Sequence, residues 1–284
     1  MNSLKSILKL SDYSLREGIY LVPEVEQEII SYPSSGHDSC FSVEDNSFWF
    51  NHRNKCIISM VEKYASNQTF FDVGGGNGFV SKGLLENKIE AVLVEPGVSG
   101  CFNAKRRNID NVLCMTFSNL YFLSNELKIS VGLFDVIEHI ENDYKFLKDI
   151  YDKIPSGSKL FITVPAYQEL WSDEDELAGH FRRYTSQSLG NLTKRVGFKT
   201  VYQSYIFSFL PVPILLLRTL PFMMKKFFGK NTVKKLSSVE SDHAANDNLK
   251  SNFLDKLLSI ERYLLKRRIP IPFGGSIIHI IEKK

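Results

Sequence analysis

Short apolar runs alternate with polar, helix-forming stretches between about residue 55 and residue 206. Apolar runs of about four to eight residues are typical of strands that are buried on both faces of a parallel sheet. The alternation therefore predicts an α/β fold with a doubly wound sheet. The predicted strands span residues 69–74, 90–95, 112–116, 131–137, 159–164 and 198–206, and the predicted helices span residues 57–64, 78–86, 98–108, 142–154 and 186–196.

The alternation of strands and helices changes after residue 206. An apolar stretch at residues 207–228, a polar stretch at 229–252 and an amphipathic helix at 253–266 precede the last predicted strand, at 276–282. With 284 residues, of which 43% are apolar, the chain is long enough for a full α/β core and an insertion. The predicted parts are an N-terminal cap (1–55), a core (56–206), an insertion (207–275) and the final core strand (276–284).

A cluster of glycines follows the first core strand, at Gly74, Gly75, Gly76 and Gly78. Glycines at such a position permit a sharp turn and let a ligand approach the main chain closely. Asp72 precedes the cluster, and Glu95 ends the second strand. A carboxylate at the end of that strand can accept hydrogen bonds from both hydroxyl groups of a ribose. The sequence therefore predicts a nucleoside site here, with Asp72 facing a positively charged part of the ligand.

Nicotinamide-dependent oxidoreductases also combine a glycine loop with an acidic strand end, so they remain an alternative. Their fingerprint places three glycines in the spacing GxGxxG. Counted from Gly74 and Gly76, the third glycine position is occupied by Phe79. This mismatch disfavours a dinucleotide.

Three segments resemble the class I S-adenosylmethionine (SAM)-dependent methyltransferases. Residues 72–78 (DVGGGNG) are similar to their first motif, Glu95 to the acidic residue of the second, and residues 134–140 (FDVIEHI) to the fourth-strand motif. The resemblance implies a Rossmann-like sheet of seven strands whose last strand is antiparallel. It also implies SAM as cofactor and S-adenosylhomocysteine (SAH) as product. The cofactor-binding residues that it implies are Asp72, Gly74, Gly75, Gly76, Gly78, Glu95, Pro96, Thr116, Phe117, Asp135 and Val136.

A narrower resemblance concerns bacterial methyltransferases that are associated with surface-glycan or polyprenyl-linked pathways. Residues 171–185 resemble their WSxxDxxxGHxRRYT segment, and residues 48–50 (FWF) with Arg53 resemble a second segment of the same proteins. The resemblance favours a small, sugar or lipid-linked acceptor.

Methyl transfer to a hydroxyl group needs a base beside the acceptor oxygen. His139 follows the fourth strand and His180 follows the fifth, at the sheet edge where α/β proteins bind ligands. Histidine titrates near neutral pH, so either residue is a candidate base, although His139 could instead have a structural role. A divalent ion on Asp135, Glu138 and His139 is disfavoured because ligands from one strand end surround an ion poorly, so no metal is predicted.

Arg182 and Arg183 follow His180 and form a compact cationic group. Arginine binds phosphate or carboxylate through paired hydrogen bonds, which points to an acidic acceptor. The alternative is an ion pair with the acidic run at residues 173–176. The predicted substrate-binding residues are Trp171, Arg182, Arg183 and Tyr184.

The apolar stretch at residues 207–228 contains three prolines and Arg218, which argue against a helix that spans a bilayer. A bent amphipathic element with lysines at its end is typical of the membrane interface. A lid over the acceptor site and a homodimer surface are the alternatives.

Composition and motifs exclude several functions. The net charge of +3 is too small to indicate nucleic-acid binding, and the sequence contains neither an Asn/Asp-Pro-Pro-Tyr/Phe motif nor a Pro-Cys nucleophile. The four cysteines lack zinc-ligand spacing and are expected to be reduced thiols. Residues 1–10 do not read as a signal peptide, so we expect a cytoplasmic protein, with the inner face of the membrane as a second location.

These observations predict SAM-dependent O-methylation of a hydroxyl group on a small, sugar or lipid-linked acidic acceptor. His139 and His180 are the candidate bases. A nicotinamide-dependent oxidoreductase and a non-catalytic SAM-binding protein at the membrane remain alternatives.

Overall fold

The computed structural model describes residues 2–9, 13–21, 36–124, 126–228 and 248–284. Its strands are β1 (Ser14–Arg16), β2 (Ile19–Leu21), β3 (Thr69–Val73), β4 (Ala91–Val94), β5 (Val112–Cys114), β6 (Ile129–Phe134), β7 (Lys159–Pro165), β8 (Lys199–Ile206) and β9 (Ser276–Glu282). They form one mixed sheet in the order β1-β2-β5-β4-β3-β6-β7-β9-β8.

Helices lie on both faces of this sheet, as expected for a doubly wound fold. They are α1 (Asn2–Ile7), α2 (Gly36–Glu44), α3 (Phe48–Ala65), α4 (Phe79–Glu86), α5 (Val98–Arg106), α6 (Asp143–Lys153), α7 (Asp173–Ala178), α8 (Ser186–Val196), α9 (Pro211–Ile214), α10 (Leu220–Phe228) and α11 (Asn248–Lys266). Short 3₁₀ turns cover Phe117–Asn119, Ile137–His139 and Gln168–Leu170, and a π-helical turn at Leu215–Thr219 joins α9 to α10.

The two largest apolar cores among the described residues lie on opposite faces of the sheet, because successive residues of a strand point to opposite faces. Phe71 packs in a core that includes residues of α6 and α8, whereas Phe70 packs in a second core with residues of α3, α4 and α11. Both phenylalanines are fully buried. The β3 strand is therefore apolar at consecutive positions, which is the pattern that the sequence showed.

The sheet contains nine strands, so the prediction of seven was wrong in number. Seven strands, from β5 to β8 in the sheet order, have the expected arrangement, with β9 antiparallel to both β7 and β8. The additional β1–β2 hairpin turns at Glu17 and Gly18, which both have positive φ, and β2 pairs in parallel with β5. Strands of three residues are too short to show a pattern, so this part of the predicted cap was not recognised as sheet.

The β6 strand ends at Phe134, three residues before the predicted end at residue 137. Asp135 has a φ of 57°, which is a left-handed conformation that interrupts the strand. The following 3₁₀ turn brings Glu138 and His139 to the carboxyl edge of the sheet.

The segment after β8 is helical from Pro211 to Phe228. Residues 229–247, which make up most of the predicted polar stretch at 229–252, lie outside the described residues. The predicted amphipathic helix at 253–266 lies within α11. No helix among the described residues is long and apolar enough to cross a membrane.

Candidate functional site

A cavity of about 1060 Å³ opens at the carboxyl ends of β3, β4 and β6. This edge of a parallel sheet is where α/β proteins bind their ligands. Every predicted cofactor-binding residue except Gly78 lines it, and both His139 and His180 do so as well. The structure therefore places the predicted nucleoside site and the candidate bases in one cavity.

The glycine loop, residues 74–78, joins β3 to α4. A Cβ atom on Gly75 would lie 2.6 Å from Asp72 Oδ2 and 2.5 Å from Leu93 Cδ1. On Gly78, which has a φ of 74°, it would lie 2.3 Å from Ile109 Cδ1. These two glycines are thus required by packing within the protein, and the main chain of the loop remains bare toward the cavity.

The Glu95 carboxylate connects the end of β4 to the glycine loop. Its Oε2 accepts a hydrogen bond from the Gly76 amide (2.9 Å), and its Oε1 accepts one from the Gly97 amide (2.7 Å). Burial raises the pKa of Glu95 to about 7, and the two amides act in the opposite direction. Because each carboxylate oxygen can accept more than one hydrogen bond, both remain able to bind hydroxyl groups of a ligand.

Asp72 is fully buried at the end of β3. Its Oδ2 accepts hydrogen bonds from the amide (3.1 Å) and the hydroxyl group (2.7 Å) of Ser81. Its Oδ1 has no hydrogen-bond partner among the described residues. Burial raises the pKa of Asp72 to about 6. A buried carboxylate oxygen without a partner suits a cationic group of a ligand.

On the far side of the loop, Met115, Thr116 and Phe117 form a largely apolar wall of the cavity. The Thr116 hydroxyl group lies 2.8 Å from Asn119 Oδ1 and 2.6 Å from Ser118 Oγ. Thr116 is thus held by Ser118 and Asn119 of the short helical turn that follows it.

Asp135 connects the end of β6 to α3. One of its oxygens pairs with the Arg53 guanidinium group, and the other accepts a hydrogen bond from the Thr163 hydroxyl group (3.0 Å). Arg53 is almost fully buried, its guanidinium carbon lies 4.9 Å from the centre of the Trp49 ring, and its Nε has no hydrogen-bond partner among the described residues. Asp135 is therefore bound to protein groups and does not join Glu138 and His139.

Glu138, His139 and His180 lie together instead, and each offers a possible ligand atom within 4.8 Å of the others. Glu138 is fully buried, and neither of its carboxyl oxygens has a hydrogen-bond partner among the described residues. Burial raises the pKa of Glu138 to about 8, so this side chain is protonated at neutral pH. Burial lowers the pKa of His139 to about 4, and the nearby His180 is a second, smaller cause of this lowering. The two imidazole rings meet edge to face, with centroids 4.7 Å apart.

His180 is oriented by the buried carboxylate of Asp175. Its Nδ1 lies 2.8 Å from Asp175 Oδ1, and Arg183 binds the same carboxylate through Nε (2.7 Å) and Nη2 (2.8 Å). The amide of Ser172 adds a further hydrogen bond (2.9 Å). Burial would raise the pKa of Asp175, but the hydrogen bonds from His180 and Arg183 outweigh it and hold this pKa below its usual range.

None of the four predicted substrate-binding residues (Trp171, Arg182, Arg183 and Tyr184) lines the cavity. Arg183 binds Asp175, as in the ion-pair alternative. Arg182 pairs with Asp143 of α6 (3.0 Å), and the Tyr184 hydroxyl group donates to the same carboxylate (2.9 Å). The ionic contacts of both arginines are thus within the protein.

Residues 51–203, more than half of the chain, match a family described as "Methyltransferase domain". The chain belongs to this methyltransferase family. The match decides against the nicotinamide-dependent oxidoreductase, and the enzyme is a SAM-dependent methyltransferase of class I.

Solved structures show that the methyltransferase fold is shared. A chain from the complex of the Haloferax volcanii Trm112 activator with a methyltransferase has a TM-score of 0.53 and 13% identity, over 88% of this chain and 93% of that one. Haemonchus contortus phosphoethanolamine N-methyltransferase 2 with SAM has a TM-score of 0.52 and 13% identity, over 90% of this chain and 58% of that one. The plantazolicin methyltransferase BpumL with SAH has a TM-score of 0.50 and 12% identity, over 88% of each chain. No curated protein matches the sequence.

SAM is the cofactor of this methyltransferase, and the residues of the cavity fit it. The bare main chain of the glycine loop gives room beside Glu95, whose carboxylate suits ribose hydroxyl groups. The unpartnered Oδ1 of Asp72 suits the positive charge at the methionine end.

Sequence analysis missed several residues of the cavity as site residues, namely Glu44, Trp49, Phe50 and Arg53, and it considered Glu138 only as a metal ligand. The FWF…R segment contains Arg53, so the sequence did mark this residue as part of a motif. Its position beside Asp135 could not be predicted, because the two residues are 82 positions apart in the chain. Arg53 is the sole lysine or arginine among the described residues that line this cavity.

Proposed function

We propose that this methyltransferase transfers a methyl group to a hydroxyl oxygen of a small, sugar or lipid-linked acidic acceptor, with His180 as the general base. The observation that carries the proposal is the hydrogen bond from His180 to Asp175 (2.8 Å) at the wall of the cavity that contains the glycine loop and Glu95.

Asp175 determines which nitrogen of His180 acts as the base. An ionised carboxylate can only accept hydrogen bonds, so Nδ1 of His180 carries the proton and Nε2 keeps its lone pair. When Nε2 takes the acceptor's proton, the Asp175 carboxylate stabilises the imidazolium cation. Arg183 keeps Asp175 ionised and fixed in place.

His139 is a weaker candidate for the same step. With a pKa of about 4, its imidazole is neutral at pH 7 but has little affinity for a proton. We therefore assign His139 a positioning role beside His180. The protonated carboxyl group of Glu138 lies beside the two histidines and adds no negative charge there at neutral pH.

SAM supplies a methyl group on a positively charged sulfonium. The residues that line the cavity would bind and orient it: Glu95 would hold the ribose, Asp72 the positive charge, and Phe117 with its neighbours the adenine. The role of each follows from its place around the glycine loop.

Arg53 supports an acidic acceptor, because it is a largely buried cation that lines the cavity, and arginine binds carboxylate and phosphate groups. Trp49 and Phe50 line the same cavity and offer apolar surface to a sugar ring or a lipid chain. Arg53 thus takes the anion-binding role that the sequence assigned to Arg182 and Arg183.

The test is transfer of labelled methyl groups from SAM to glycan and polyprenyl-lipid extracts, followed by identification of the methylated atom. We expect a methyl ether or ester on an acidic acceptor. We also expect His180→Ala to lose turnover while it keeps its affinity for SAH, with His139→Ala as the matched control. A methylated amine, together with full turnover by the His180 variant, would contradict the proposal.

A further inference from the structure

Three side chains with metal-binding atoms meet at one wall of the cavity. We propose that Glu138, His139 and His180 bind a single Zn²⁺ ion and that this ion switches methyl transfer off. The site itself is independent of the acceptor, whereas the switching rests on the proposed function, because it requires His180 to be the base. Zinc is thus a regulator and not a requirement of the reaction.

The ligand atoms of these side chains lie close to the arrangement that zinc requires. One nitrogen of each histidine and one oxygen of Glu138 all lie within 4.8 Å of one another. Zinc binds nitrogen and oxygen at about 2.0–2.2 Å in a tetrahedral arrangement, which places its ligand atoms about 3.3 Å apart. A closure of about 1.5 Å or less between the side chains would therefore fill three of the four coordination positions.

The ligands come from two segments of the chain, which removes the objection to a site built from one strand end. Glu138 and His139 belong to the turn after β6, whereas His180 follows α7. A main-chain hydrogen bond fixes the two segments to each other, since the Phe181 amide donates to the carbonyl oxygen of Glu138 (2.8 Å). The main chain therefore holds the ligand-bearing residues together.

The carboxyl group of Glu138 is the clearest sign of a ligand at this place. It is fully buried, and neither of its oxygens has a hydrogen-bond partner among the described residues. A buried polar group without a partner destabilises a fold, so its presence needs an explanation. A zinc ion that replaces the carboxyl proton would supply the missing partner.

Outer hydrogen bonds orient both imidazole rings. Metal-binding histidines usually donate from their second ring nitrogen to a carboxylate or a main-chain carbonyl group. The Asp175 carboxylate lies 2.8 Å from Nδ1 of His180, which makes Nε2 the ligand atom. Main-chain groups of Ala178 and Gly179 are hydrogen-bond partners of the His139 ring. Both histidines thus have the support that a metal ligand needs.

The set of donor atoms selects zinc over magnesium and calcium. Imidazole nitrogens suit zinc and similar transition ions, whereas Mg²⁺ and Ca²⁺ prefer oxygen ligands. All three side chains line the cavity, so an ion can enter from it and bind water at the fourth position. On Nε2 of His180 the ion would occupy the lone pair that otherwise takes the proton of the acceptor hydroxyl group. Zinc binding therefore opposes methyl transfer.

Calorimetric titration with ZnCl₂ tests the site. The full chain is dialysed against EDTA, moved to buffer without chelator, saturated with SAH and titrated with Zn²⁺ or Mg²⁺. We expect one zinc ion per chain and much weaker binding of Mg²⁺. Glu138→Gln should weaken zinc binding by more than about 100-fold, and Asp175→Asn by about 10- to 100-fold, because the latter removes only an outer partner. Glu141→Gln, which changes an exposed glutamate in the same segment, is the matched control.

Calorimetry with SAH in the absence of zinc confirms that each variant is folded. Zinc binding that Glu138→Gln leaves unchanged would overturn the site, as would binding of Mg²⁺ with equal affinity. The titration contains no acceptor, so its failure leaves the proposed methyl transfer standing.

The switch is tested by methyl transfer from labelled SAM at increasing zinc concentration, with each protein compared with its own rate without zinc. We expect the wild type and Glu141→Gln to lose transfer at zinc concentrations that do not inhibit Glu138→Gln. Full transfer by the wild type with zinc bound would overturn the switch and would count against His180 as the base, although the zinc site would stand.

Discussion

Glu138→Gln exchanges a buried carboxyl group that lacks hydrogen-bond partners for an amide of nearly the same shape. Burial raises the pKa of Glu138 from 4.5 to about 8. The folded protein therefore keeps this proton at pH values where the unfolded chain has released it. The stability that the protonated form provides is complete below pH 4.5 and decreases as the pH rises toward 8.

The size of the effect follows from this difference in pKa. The folded state is destabilised by about 1.4 kcal/mol for each pH unit over which only the unfolded chain is ionised. Between pH 5 and pH 7.5 the wild type should lose about 3 kcal/mol from this group alone, to order of magnitude. Glutamine does not titrate, so the variant should not show this loss.

The assay is urea unfolding of both proteins at pH 5 and at pH 7.5. The difference in unfolding free energy between Glu138→Gln and the wild type should shift by about 3 kcal/mol in favour of the variant at the higher pH. Comparing the two pH values cancels the constant cost of burying the amide. Glu86→Gln on the exposed surface of α4 is the control and should show no such shift. An equal difference at both pH values would show that Glu138 is ionised in the folded protein and would refute the reasoning.

Four further predictions concern the cavity. His180→Ala should keep its affinity for SAH, and its kcat, measured with labelled SAM, should fall by about 10²- to 10⁴-fold. A larger fall in the kcat of His139→Ala would make His139 the base. Asp175→Asn should lower kcat because the wrong tautomer of His180 is favoured, and calorimetry with SAH should show unchanged affinity; unchanged kcat would count against this role. Dialysis against EDTA should leave turnover intact, and a loss that Mg²⁺ or Mn²⁺ restores would instead make Glu138 and the two histidines metal ligands. Gly76→Val should abolish SAH binding in calorimetry, because Gly76 has a φ of 55° and a branched side chain there is strained and occupies the loop.

The features that the sequence predicted best are those that depend on residues close together in the chain. The β3 strand, the glycine loop and Glu95 are marked by apolar runs, glycines and a strand-end carboxylate, each readable within a few positions. The hydrogen bond from the Gly76 amide to Glu95 confirms that the loop and the second strand end meet. The assignment of individual site residues and the four-part division of the chain stay predictions.

Contacts between distant parts of the chain could not be read from the sequence. Arg53 meets Asp135 because α3 packs against the carboxyl edge of the sheet, and Arg182 meets Asp143 because α6 lies behind the loop that follows β7. Adjacent arginines looked alike in the sequence, yet the fold gives them different carboxylate partners. The β1–β2 hairpin was missed for a different reason, since three-residue strands carry no usable periodicity.

Calorimetric titration with SAH and with NADH, using the wild type and Glu95→Gln, tests the central claim most directly. At pH 8, above the pKa of about 7 that burial gives Glu95, the carboxylate is ionised and can accept both ribose hydroxyl groups. We predict that SAH binds the wild type, that NADH does not, and that the glutamine variant binds SAH about 10- to 100-fold more weakly, since charge-assisted hydrogen bonds are lost. Unchanged SAH affinity in the variant, or binding of NADH in place of SAH, would contradict the placement of the cofactor between the glycine loop and Glu95.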